Sequence, residues 1–192
     1  MRAFFVSFLL VMSSFVSGAT PQIYFSPQDH LSDRLISLIH AEKESIQTAI
    51  YCFTHREIAK ALIAAKKRGV KVEVIVDAFS VKIKTPLASL EKAGIPIYVF
   101  SPPEVKTNAG KVLRTPLMHD KFCVFGQAKV WTGSFNFTYE ASRSNAENAV
   151  VLDDAKAVES YREHFFKLKK SSCIPYSEYL DLKKAQKETK DI

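Results

Sequence analysis

The chain has 192 residues, 47% hydrophobic and 24% charged, with a net charge of +7 at pH 7. Such a length fits one domain with a full core, and the basic balance points to anionic partners, nucleic acid or acidic lipid, unless the lysines merely solvate the surface. Beyond the N-terminus no stretch is apolar and long enough to span a bilayer. No Cys-x-x-Cys pair or Cys/His cluster offers a zinc site.

Residues 1–19 have the form of an export signal: Arg2, an apolar run from Ala3 to Met12, then Ser17-Gly18-Ala19 as a cleavage site. The expected location is periplasmic or secreted. An uncleaved leader would instead leave a membrane anchor. The cysteines that follow are Cys52, Cys123 and Cys173, an odd number, so at least one is unpaired or intermolecular in an oxidising compartment. Cys52 and Cys123 lie in apolar runs and read as buried thiols.

Gln22–Ser26 is a short strand candidate, and Leu31, Leu35, Leu38 and Ile39 have helical spacing behind Asp29 or Ser32 as a cap. Ile46–Phe53 reads as a strand. Ile58, Ala61, Leu62 and Ala65 mark a helix that ends in Lys66-Lys67-Arg68 before Gly69. Val70–Val76 is the cleanest strand, with valines at period two and Ile75 between. A helix over Pro86–Ala93 leads to a strand over Ile95–Phe100, and Ser101–Pro116, rich in proline and basic residues, reads as a long loop. Two strands, Lys121–Phe125 and Lys129–Thr132, flank a turn at Gly126-Gln127. Asn148–Leu152 is a further strand. Ala155–Lys170 is a long helix with Val158, Tyr161, Phe165 and Leu168 as its buried stripe.

This alternation predicts an α/β fold, a mixed β-sheet sandwiched by helices on both faces. Phe122-Cys123-Val124-Phe125, apolar on both faces, belongs in a central strand. The domain is placed at 20–170. Residues 171–192 read as a Lys-rich tail, a loosely attached helix.

Chemistry concentrates in one block: His119-x-Lys121, eleven residues, then Gly133-Ser134-x-Asn136. In extended chain, residues i and i+2 leave one face, so His119 and Lys121 project together, as do Ser134 and Asn136 if the strand geometry continues. An imidazole, a fixed cation and two polar groups converging on one spot describe a phosphate-ester site. His30, His40, His55 and His164 have no such company and read as surface or satisfied core residues. Asp120, one residue off that face, reads as structural or solvent-directed. Lys111 and Arg114 are candidates to flank a substrate groove; a solvated loop is the other reading.

The block resembles the phospholipase D superfamily signature H-x-K-x4-D-x6-G-S-x-N, and more closely the small bacterial single-motif endonucleases within it. His119, Lys121, Gly133, Ser134 and Asn136 match in spacing, and Ser144, Glu147 and Asn148 look like the downstream continuation. The likeness extends over Tyr24-Phe25-Ser26-Pro27, the run ending at Gly69-Val70 and Gly94-Ile95-Pro96. Gly126 stands where the family has Asp, which leaves open a weakened or repurposed member. The resemblance implies the phospholipase D/nuclease fold. It also implies that Glu147 orients the imidazole through its other nitrogen.

A phosphodiester repels nucleophiles and needs a proton delivered to its leaving oxygen, tasks that two imidazoles can divide. Only His119 is placed to serve, so a homodimer must bring two copies together. One ring would form a phosphohistidine and the other protonate the leaving group. Lys121 and Asn136 would hold the non-bridging oxygens, with Ser134 adding a hydroxyl or backbone N–H. No metal or other cofactor is needed on this reading. The expected substrate is DNA, with single-stranded DNA and RNA as further targets, and Phe135, Phe137 and Tyr139 as candidates to stack on bases unless they are core. A phospholipase acting on a lipid such as cardiolipin, and a DNA-binding protein with weak or no catalysis, are the competing readings.

Overall fold

The computed structural model describes residues 20–189; the leader lies outside them. The chain begins with β1 (Gln22–Phe25), α1 (Leu31–Ala41), β2 (Ser45–Ile50), α2 (Arg56–Lys67) and β3 (Lys71–Asp77). Next come α3 (Ala78–Lys82), α4 (Leu87–Lys92), β4 (Ile97–Phe100) and a small pair, β5 (Val105–Lys106) and β6 (Val112–Arg114). Then β7 (Lys121–Phe125) and β8 (Lys129–Gly133) precede α5 (Tyr139–Arg143), β9 (Asn148–Leu152), α6 (Ala155–Ser172), β10 (Cys173–Pro175) and α7 (Tyr176–Glu188).

Eight strands form one mixed sheet in the order β1-β9-β8-β7-β2-β3-β4-β10. The neighbours β2, β3 and β4 are parallel, and the remaining pairs are antiparallel. Period-two patterning divides each central strand between two cores. Val72, Val74 and Val76 of β3 join Ile46, Ile50, Cys123 and Trp131 against α1, α2 and α4. Ile75, Ala49, Phe122, Val124 and Val130 face the other way, onto Val158 and Phe165 of α6. The sheet is therefore sandwiched by helices, with β7 buried on both faces as its composition requires.

Several local expectations are corrected. The first strand after α1 stops at Ile50 rather than Phe53, because Phe53 leaves the ladder for an isolated bridge to Phe137. The cap of α1 is neither Asp29 nor Ser32: His30 occupies that position without a side-chain bond, and the Asp29 carboxylate accepts from Phe25 N–H. The long loop contains the β5–β6 hairpin. The largest departure is the tail. Cys173–Pro175 pairs antiparallel with β4, and α7 buries Tyr176 and Tyr179 against the first core. A three-residue strand is too short to show periodicity, and two tyrosines three apart are easily lost among lysines. Ordered structure thus continues past Lys170. Among the described residues no helix is long and apolar enough to cross a membrane.

Candidate active site

The sheet brings one set of strand ends together. β2, β3, β4 and β8 finish where β7 and β9 begin, so Ile50, Asp77, Lys121, Gly133 and Asn148 lie along one edge. Three of these strands are parallel, and their carboxyl ends are where ligands bind in open α/β sheets.

His119 and Lys121 meet as their i, i+2 spacing predicts. Lys121 Nζ donates to the His119 carbonyl at 2.6 Å and lies 3.1 Å from His119 Nδ1. With an ammonium donating to Nδ1, Nε2 is the ring nitrogen turned away from Lys121. The imidazole is solvent-exposed, whereas Lys121 is only 8% exposed. Burial pushes the Lys121 ammonium below its ordinary range, while Asp120 and Glu147 pull it back up. A half-dehydrated cation of this kind binds an anion more strongly than a surface lysine does.

Ser134 and Glu147 form a second unit. Ser134 Oγ donates to Glu147 Oε2 at 2.5 Å and accepts from Asn148 N–H at 3.0 Å. Glu147 Oε1 accepts from Asn145 Nδ2, and Glu147 N–H donates to Ser26 Oγ, which ties the end of β1 to the site. The Glu147 oxygens are thus taken by Ser134 and Asn145 rather than by the imidazole, although Glu147 still acts on Lys121 through space. Gly133 makes the turn possible. Its φ is +149°, and a Cβ there would meet Asn148 O at 2.2 Å. No other residue fits.

Asn136 stands in the turn after Gly133, beside the segment that leaves β2: Phe137 N–H donates to Cys52 O, and Thr54 N–H to Phe137 O. Its Oδ1 is buried without a hydrogen-bond partner. An orphaned buried acceptor costs about 1–3 kcal/mol; a phosphodiester, which carries no donor, could meet only the amide Nδ2 of this side chain. Lys111 and Arg114 are exposed on the β5–β6 hairpin, and the chain just beyond Arg114, Thr115 to Leu117, lines a cleft with Tyr51.

Phe135 and Phe137 are 0% and 1% exposed and belong to the core, the bland reading of the two. Tyr139 stacks on His55, whose Nδ1 accepts from Ile58 N–H as the cap of α2. Asp120 pairs with His164 at 2.8 Å. Cys123 is buried as expected, but Cys52 is only half-buried and lines an open cleft.

Sequence reasoning missed Tyr51 and Asp77. The Tyr51 ring lies 4.6 Å from the His119 ring, with the Lys121 ammonium 5.3 Å from its centroid. Asp77 accepts from Met118 N–H at 2.8 Å, next to His119, and from Phe79 N–H at 2.8 Å. Their only sequence signal is position: each lies at the carboxyl end of a strand that pairs toward the H-x-K strand.

Gly126 is at the opposite end of β7 from His119. Five residues at roughly 3.3 Å each put about 17 Å between Lys121 and Gly126. A Cβ there, at φ +54°, would face the carboxylates of Glu42 and Glu44. The departure from the family pattern is remote from the chemistry.

Residues 35–169 match the family model described as "Cardiolipin synthase, PLD-like domain". The chain belongs to the phospholipase D superfamily. It is a phosphodiester hydrolase of the small, single-motif type, with the mixed-sheet fold of that superfamily. A protein named Phospholipase D from Rickettsia prowazekii is 33% identical over 149 residues, covering 77% of this chain and 67% of that protein. Among solved structures, the phospholipase D family member Nuc from Salmonella typhimurium superimposes with a TM-score of 0.68 at 34% identity, covering 82% of this chain and 97% of that one. NucT from Helicobacter pylori gives a TM-score of 0.73 at 26% identity, covering 82% and 99%.

Proposed function

We propose that this phosphodiesterase is an endonuclease of low sequence preference, acting on DNA through a phosphohistidine without a metal, in a site completed by a second copy of the chain. The observation that carries this is the His119–Lys121 pair: an exposed imidazole held on a buried, partly desolvated ammonium. The basic balance of the chain and its likeness to Nuc and NucT support nucleic acid as the substrate.

An arriving phosphate draws the Lys121 ammonium away from Nδ1 and onto its non-bridging oxygens. Nδ1 is then free to carry the ring proton, which leaves a lone pair on Nε2; Glu147, bonded to Ser134 and Asn145, acts through its charge on Lys121 rather than by holding that proton. Nε2 attacks phosphorus, and the bond to the leaving oxygen breaks as His119 of the second copy gives up its proton. Water then attacks phosphorus and returns a proton to that second ring, and the P–N bond breaks. Lys121 and the Asn136 amide stabilise the charge that builds on the oxygens. The two rings titrate as a pair.

Hydrolysis of an anionic phospholipid is the second reading, favoured by exposed Val105, Val112 and Leu117 around the hairpin and by the name of the Rickettsia relative. Plasmid, single-stranded DNA and cardiolipin vesicles incubated with the protein in chelator separate the two. DNA cleavage with an acid-labile phosphoryl group on His119 is the expected result. Cleavage of lipid alone would replace it with the second reading, and retention of DNA without turnover would leave a binding protein.

A further inference from the structure

An aromatic step leads away from His119. Tyr51 stacks on Phe79 with the rings 5.3 Å apart and 5° from parallel, and Tyr51 in turn touches His119. Phe79 is 40% exposed and lines both clefts that open at this edge of the sheet, of about 570 and 520 Å³. One cleft carries Arg56 and Lys84 beside Glu140, and the other Lys82 and Lys183 beside Asp77 and Glu104.

The step is rigid. Asp77 caps α3 by accepting from Phe79 N–H and fixes the same element to Met118 through its other oxygen. Ser80, fully buried, donates to Tyr51 O and accepts from Phe53 N–H. Four hydrogen bonds thus set Phe79 relative to the nucleophile, and its ring, stacked on Tyr51, remains 40% exposed. A large aromatic ring held this firmly, with one face on Tyr51 and the rest open to two clefts, is shaped to carry a planar ligand.

We propose that Phe79, backed by Tyr51, is a stacking platform for an unpaired nucleobase next to the scissile phosphate, and that it gives the enzyme a preference for single-stranded nucleic acid. The inference rests on the nuclease reading. A planar base can extend the Phe79–Tyr51 stack only if it is not already stacked within a duplex, and the flanking lysines and Arg56 take the neighbouring phosphates.

The test measures kcat/KM for wild type, Phe79→Ala, Phe79→Leu and Phe79→Trp on four substrates: a single-stranded oligonucleotide, its duplex, the same strand with abasic residues at the cleaved step, and bis(p-nitrophenyl) phosphate. Phe79→Ala should lower the rate on the single strand roughly tenfold relative to the small diester. The single-strand to duplex ratio should shrink with it. Phe79→Leu should behave like Phe79→Ala, since it keeps apolar bulk without a π-face, whereas Phe79→Trp should retain the preference. The penalty should disappear on the abasic strand. An equal penalty on abasic and normal strands, or none on either, overturns the platform while leaving the nuclease reading intact. A wild type that cleaves no oligonucleotide here, and hydrolyses only the cardiolipin vesicles of the substrate panel above, overturns both.

Discussion

At the residue scale, function rests on a conflict that Lys121 resolves. A buried ammonium is costly, and its company of Asp120, Glu147 and the His119 carbonyl holds the charge in place until a phosphate replaces part of it. Lys121→Ala should lower kcat/KM by about 100- to 1,000-fold, the usual loss for one donor to transition-state charge; near-normal rates would demote it to a structural residue. Because burial lowers its pKa and the cation is the active form, rate should fall as pH rises, beginning below the ordinary lysine value of 10.5. A pH profile of kcat/KM reports this limb for the free enzyme, and Lys121→Arg should move it upward if the group is Lys121. Gly133→Ala should fail to accumulate as folded protein, since its Cβ would collide with the backbone of β9. A normal melting curve for that variant would contradict the geometry.

Elements carry the site because strand ends are better fixed than loops. Asp77 illustrates this: one carboxylate caps α3 and anchors Met118, so it joins the end of β3 to the residue before the nucleophile. Asp77→Ala should cost about 0.5–2 kcal/mol from the cap, more for Met118 N–H left unpaired, and should also reduce turnover. Thermal unfolding and activity measured together check this; loss of stability with turnover intact would remove its positioning role. Gly126→Asp tests the opposite end of β7. Restoring the family's carboxylate should not raise activity. It should instead destabilise, because the new charge faces Glu42 and Glu44 at a positive φ.

The whole molecule offers an exposed imidazole at the sheet edge, with Leu117 and Phe79 uncovered beside it. If the site needs two copies, refolding wild type with an equal amount of His119→Ala should leave about one quarter of the activity of an all-wild-type sample, as against about one half for independent subunits. Light scattering on the same sample reports the assembly. The C-terminal strand and helix belong to the same scale. Removing the chain from Cys173 onward would open the outer edge of β4 and uncover Tyr98 and Val99 of that strand, so aggregation is the expected phenotype.

Much of this was legible in the order of residues. The valines of β3, the doubly apolar β7 and the stripe of α6 obey periods that water and backbone geometry impose on any sequence, and they predict layers without reference to contacts. The H-x-K spacing likewise placed His119 and Lys121 on one side of the chain. What spacing could not supply was company across the chain. That Glu147 binds Ser134, that Asn136 Oδ1 has no partner, that Phe135 is buried while Phe79 stands open, and that Cys173–Pro175 completes the sheet all depend on residues distant in sequence becoming neighbours. Those are consequences of strand order and register, which no local pattern encodes.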